Sequence, residues 1–156
     1  MFKKRRNKPR LLMILLLAAG GILLFFSIFG SSSGQEAKEA VNAFYQYEQA
    51  GDFSKSWELF HSDMKKQFPK GSYIQDRANV FMNHFGVETF AYTLNDAEEI
   101  KNWRMSKESA AYSSVYKVTV TQTYIGKYGR FRIGQDVFAV KEQKEWKLLW
   151  DYNETK

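Results

Sequence analysis

Apolar and polar residues change their spacing twice along this chain, and each change marks a different kind of structure. Residues 11–30 carry no charge and directly follow Lys3, Lys4, Arg5, Arg6, Lys8 and Arg10. Twenty residues at about 1.5 Å each span about 30 Å, the thickness of a bilayer's hydrocarbon core, so this run is predicted to be a transmembrane helix. Phe25, Phe26, Ile28 and Phe29 put bulk late in the run, which makes it longer than the apolar part of a cleavable signal. Gly30, Ser31 and Ser32 have the small size of a cleavage site, but the retained helix is the expectation.

Beyond a short linker, residues 31–34, the spacing turns helical. Ser33 and Glu36 stand at capping-box spacing, and Ala37, Ala40, Val41 and Phe44 recur every three or four residues. Gly51-Asp52 ends that helix, and Asp52 can cap a second one carrying Phe53, Trp57, Phe60 and Met64 until Pro69. Ser72 and Gln75 repeat the capping-box spacing ahead of Ile74, Ala78, Phe81 and Phe85, with Gly86 as the stop. From residue 89 the period becomes two. Strands are predicted over 89–94 and 98–105 around a turn at Asn95-Asp96, and strongly from Tyr112. There Tyr116, Val118, Val120, Gln122 and Tyr124 share one face, and Lys117, Thr119, Thr121 and Thr123 the other. A turn at Gly126–Gly129 returns the chain over 130–141, where apolar parity slips between Phe131, Ile133 and Phe138, Val140; one extra residue near Gly134, a β-bulge, would explain it. Trp146, Leu148 and Trp150 alternate in a last strand. Three helices followed by antiparallel strands predict an α+β domain over residues 35–156.

Charge sharpens the location and removes one class of partner. The chain is +6, but six of its 23 Lys and Arg lie in residues 1–10, leaving 17 to balance 17 Asp and Glu. The remainder therefore has no basic excess to draw a nucleic acid, and none is expected as partner. The basic block suits the anionic inner leaflet, so the N-terminus is expected in the cytoplasm and the domain outside the cell membrane. Cysteine is absent, which excludes disulfides and a lipid on a cysteine. Stability must come from burial, for which 22 aromatics in residues 35–156 are a large supply.

This order of helices and strands resembles the nuclear transport factor 2-like (cystatin-like) fold. More narrowly, the chain is similar to the N-terminal non-catalytic domain of methicillin-resistance-type penicillin-binding proteins. The residues carrying the resemblance are Phe44 with Gly51-Asp52 at its helix end, the second helix around Trp57, the stretch from Tyr73 through Gly86 into Val87, and the closing Trp146-Lys-Leu-Leu-Trp150-Asp151. The resemblance implies helices packed into a curved sheet, and a spacer or docking role without catalysis. Only five residues follow Asp151, so it also implies a free-standing module.

Four groups of residues carry candidate chemistry. Ser62 and Lys65 have the serine–lysine spacing of penicillin-interacting enzymes, but the accompanying Ser-Asp-Asn and Lys-Thr-Gly elements are missing, and a solvated helix end explains the pair better. His61 and His84, with Asp63, Glu88 or Asp151, have the residue types of an acid/base site, although each histidine lies beside an apolar stripe. Tyr45, Trp57, Tyr73, Trp103, Tyr116, Tyr124 and Trp150 are candidates to line a ligand cavity between helices and sheet, or else to fill the core. The Thr119-Thr121-Thr123 face with Lys117 and Lys147 is either solvated or a docking face, and Tyr47, Tyr112, Tyr128 and Tyr152 are expected at the surface. No metal-ligand spacing occurs, and neither a metal nor a cofactor is expected. The expected function is that of a non-catalytic, single-pass accessory protein of a bacterial envelope. Its domain would bind another envelope protein, of cell-wall synthesis or of a secretion or conjugation channel, or a second copy of itself. The alternative is a small-molecule binder or sensor using the aromatic cavity.

Overall fold

The computed structural model describes residues 32–80, 87 and 89–152. Among these residues four helices precede five strands: α1 Ser33–Gln49, α2 Phe53–Glu58, α3 Ser62–Gln67, α4 Lys70–Ala78, then β1 Ala91–Leu94, β2 Glu98–Arg104, β3 Ala111–Gly126, β4 Gly129–Glu142 and β5 Glu145–Trp150. The domain is α+β, as its spacing predicts. No helix among the described residues is long and apolar enough to cross a membrane. The predicted anchor, residues 11–30, lies outside them, as do the basic block, Phe81, His84, Phe85, Gly86 and Glu88.

α1 begins at Ser33, so the predicted linker gives up its last two residues to the helix. Its buried face is Ala37, Val41, Phe44, Tyr45 and Glu48, the expected stripe continued one turn further by an acid. Gly51 adopts φ +72°, a conformation that other residues reach only with strain, and so closes the helix where the sequence has glycine. Asp52 then caps α2, its carboxylate accepting from Lys55 N at 3.2 Å.

The second predicted helix is two helices. Between them Phe60 forms a parallel bridge with Leu148: His61 N donates to Leu148 O at 3.0 Å, and Leu148 N to Leu59 O at 2.9 Å. These bonds satisfy part of the outer edge of β5, which would otherwise expose backbone donors and acceptors. Phe60 and Met64 are both fully buried as their spacing predicts, but from different segments. The third helix also starts earlier than predicted, because Pro69 takes the N-cap position without a side-chain bond and Ser72 and Gln75 fall inside α4. Its most buried residue is Tyr73, with Ile74 and Ala78 half-buried beside it.

The antiparallel sheet runs β1-β3-β4-β5, with β2 paired to β3 beside β1. The register of β3 with β4 is unbroken from Tyr116↔Ala139 to Gly126↔Gly129, passing Thr121↔Gly134, so the predicted bulge does not occur. Parity slips because β4 is buried on both faces over Val137–Ala139. Val137 and Ala139 oppose Val118 and Tyr116 beneath the helices, while Phe138 opposes Lys117 and Leu149 on the other face and stacks on Trp103 at 4.1 Å. An irregularity lies instead in β2, where Asn102 has φ +53° and is skipped in the pairing with β3. Asparagine tolerates that conformation better than most residues.

Candidate functional site

Glu48 is the acid on the buried stripe of α1, and its side chain is 0% exposed. One carboxylate oxygen accepts from Ser56 Oγ at 2.5 Å and from Tyr73 OH at 2.6 Å. The other accepts from Arg77 Nε at 2.6 Å and also from Arg77 Nη2. Four donors from α2 and α4 thus surround one carboxylate from α1. An ionised carboxylate can remain in an apolar interior only with such compensation. Burial works against the Arg77 charge, but the Glu48 carboxylate and Tyr73 hold the guanidinium protonated above its ordinary range. Burial and Glu48 together push the Tyr73 phenol far up, and burial does the same to Tyr45 and Tyr124. Both Glu48 oxygens are occupied by groups of the chain itself. The arrangement suits locking three helices together better than moving a proton for a substrate.

The seven predicted cavity aromatics do not form one site. Tyr45, Tyr73 and Tyr124 are buried, and Trp150 packs edge-on against Phe60 at 4.9 Å and Phe44 at 6.3 Å. Trp57 lies on the rim of this core, its Nε1 donating to Phe68 O at 2.7 Å and its ring under Lys65 Nζ at 4.6 Å. Tyr116 meets Trp146 edge-on, and Trp103 lies against Phe138. Neither described cleft is lined by any of the seven.

His61 is brought to Asp63 and Glu142, while Asp151 is exposed and His84 and Glu88 lie outside the described residues. His61 Nδ1 accepts from Asp63 N at 3.1 Å, which leaves the ring proton of the neutral tautomer on Nε2, 3.5 Å from Glu142 Oε1. Tyr112, expected at the surface, is half-buried and donates to Asp63 Oδ2 at 2.6 Å. Ser62 and Lys65 line a cleft of about 340 Å³ with Glu142, but Ser62 N donates to Glu142 Oε2 and Lys65 Nζ to Glu58 O, each at 3.2 Å. The serine–lysine pair is committed to helix ends. Among the described residues no cluster of His, Asp or Glu can hold a metal ion.

Hydrogen bonds from Lys66 and then Tyr112 hold the Asp63 carboxyl below its ordinary range. A lowered carboxyl pKa adds stability that is complete above the unfolded value and is lost as pH falls through the folded one. Tyr112→Phe removes one of those bonds, so the variant is expected to be less stable than the parent near pH 6 and to lose less on acidification, the two converging as pH falls through the Asp63 range. Denaturation midpoints measured from about pH 6 down to pH 2 check this, and superimposable curves would refute it.

The opposite face of the sheet is the open one. Lys117, Thr119, Thr121, Thr123 and Ile125 alternate on β3 against Phe138, Asp136, Gly134, Arg132 and Arg130 on β4. Lys117 is engaged by Glu98 at 3.0 Å and Lys147 by Glu145 at 2.9 Å, so neither predicted lysine is available. The free cations lie further along. Arg130 and Arg132 are exposed, make no ion pair with the described residues, and line a groove of about 700 Å³ with Thr89, Phe90, Ala91, Thr123 and Ile125. Ile125 is 69% and Tyr128 82% exposed at the same hairpin end. Tyr152 is also exposed, but Tyr47 is half-buried under Lys55.

No protein-family model and no curated protein matches this chain. The candidate site therefore rests on its own geometry.

Two features of it have visible signals in the sequence. Glu48 follows Val41 and Phe44 by seven and four residues, which is the spacing of the buried stripe itself. Arg130-Phe-Arg132 places two guanidiniums on one face of a strand by its period of two.

Proposed function

We propose that this chain is a non-catalytic, single-pass accessory protein of a bacterial envelope, whose α+β domain docks another protein through its open sheet face. The observation that carries this reading is the hairpin end of that face, where Arg130 and Arg132 lie beside exposed Ile125 and Tyr128. Apolar and aromatic groups ringed by unspent arginines are the composition of protein interfaces. The acid–base groups inside the domain are saturated by one another, which supports a role without chemistry. The uncharged run 11–30 behind its basic block supports a membrane anchor with the domain outside. The resemblance to the N-terminal domain of methicillin-resistance-type penicillin-binding proteins, and to the nuclear transport factor 2-like fold behind it, supports a docking module.

The test is photo-crosslinking of the full chain in cells, with a reactive residue at Ile125 or Tyr128 and, as control, at exposed Gln46 on α1. Adducts with a membrane or envelope protein, including a second copy, are expected at the first two positions and not at the third. Equal capture at all three, or none, would refute the proposal. The same membranes washed at alkaline pH retain the chain if residues 11–30 span the bilayer.

A further inference from the structure

The β3–β4 hairpin end gathers charge of one sign. From Thr123 to Gln135 the chain carries Lys127, Arg130 and Arg132 and no Asp or Glu. Elsewhere Lys38, Lys117, Lys141 and Lys147 each meet an acid of the same domain. Arg130 and Arg132 are exposed and meet none among the described residues. Two residues apart on one strand face, they stand about 7 Å from each other, and their repulsion is offset by solvent or by an anion brought from outside.

The neighbouring rows of the sheet shape what can lie beside them. Ala91, Thr123 and Arg132 form one row across β1, β3 and β4, and Ile125 and Arg130 form the next. Opposed residues share a face, so both guanidiniums lie on the same side of the sheet as Ile125. Small Ala91 and Thr123 give the groove of about 700 Å³ a low floor, and the arginines give it a wall. Away from the hairpin the following row is Thr93, Thr121 and Gly134, again without bulk. A Cβ on Gly134 would meet nothing within 4 Å, so the floor stays low in that direction. Asp136, which accepts from Thr119 Oγ1 at 2.5 Å, ends the run of positive charge.

An extended segment laid along β4 on this face matches the spacing. Its alternate side chains also recur at about 7 Å, so acids at two alternate positions reach Arg130 and Arg132 together. Each carboxylate fits a guanidinium fork through two parallel hydrogen bonds, which lysines in their place would not offer. The next alternate side chain falls over Gly134, where there is room for it. A further acid in step would face Asp136 and be repelled. Lipid phosphates would meet the same two charges but carry no such spacing.

We infer that the docked protein presents an extended acidic segment, with carboxylates at alternate positions, to the groove beside Arg130 and Arg132. This rests on the docking reading above and names the chemistry of its partner.

Photo-crosslinking from Ile125 in the full chain in cells is compared across charge variants, and the captured peptide is sequenced. Arg130→Glu with Arg132→Glu is expected to cut capture about ten-fold. Lys107→Glu with Lys144→Glu makes the same change in net charge at exposed positions by the opposite ends of β3 and β4. It is expected to leave capture within about two-fold, because charges so far apart are screened. Arg130→Lys with Arg132→Lys keeps the charge and is expected to retain more capture than the glutamate pair, which a folding defect at these positions would not allow. The captured peptide is expected to carry Asp or Glu at alternate positions within about four residues of the adduct. Indifference to the glutamate pair, an equal loss in the Lys107 and Lys144 variant or in the lysine pair, a captured peptide without acids, or an adduct with lipid would overturn the inference. If Ile125 or Tyr128 still captures a protein in those cases, docking stands and the acidic segment falls. With no adduct at either position, both fall.

Discussion

Glu48→Ala is expected to lower the stability of the domain by about 3–5 kcal/mol, with a fall in Tm of about 10–20 °C. The loss is not that of one hydrogen bond. Removing the carboxylate takes from the half-buried Arg77 guanidinium the group that binds it twice, and from buried Ser56 and Tyr73 their shared acceptor. Arg77→Met strands the opposite charge and is expected to cost a similar amount. The double variant Glu48→Leu with Arg77→Met removes both charges together. It is expected to be far more stable than the two single losses predict, because burying two charges costs nearly what their attraction returns. Urea unfolding of the three variants, followed by tryptophan fluorescence, measures this coupling. A double variant as unstable as the sum of the singles would show that the network acts through packing rather than charge.

Phe60→Ala is the second large effect, also about 3–5 kcal/mol. Its ring is fully buried and meets Trp150 at 4.9 Å and Phe44 and Tyr73 at 5.2 Å, each from a different element. Truncation opens a cavity that those large rings cannot close by small shifts, and the unfilled volume adds to the lost transfer energy. The same residue carries the bridge to Leu148, so the loosened segment also weakens the cover on the β5 edge. Phe60→Leu keeps most of the volume and is expected to cost about 1–1.5 kcal/mol. Thermal melts of the two variants separate the cases: equal losses would mean that the backbone bridge, and not the ring, dominates.

Pairing with the edge of β5 explains why one helical pattern became two helices. Phe60 and Met64 fit helical spacing with Phe53 and Trp57, and nothing local distinguishes a continuous helix from one interrupted at Leu59–His61. The interruption comes from β5, 80 or more residues away, whose backbone groups compete for those of the segment.

What the sequence determined by itself is what depends on near neighbours. The helical period of α1, its stop at Gly51, the Asp52 cap, the alternation of β3 and the turn before Gly129 are local matters of backbone sterics and of which side of an element is apolar. What tertiary structure alone decided is where two periods meet. Apolar residues on both parities of β4 read as a bulge, although the strand is regular and, over Val137–Ala139, buried on both faces, because Trp103 arrives over Phe138. Tyr112 reads as a surface tyrosine, yet Asp63 takes its proton donor and half-buries it. The acid of the buried stripe reads as an interruption until Arg77 comes from another helix to compensate it. Hydrophobic spacing reports which side of an element is covered, but the covering group is chosen by long-range packing and charge compensation, which leave no local period.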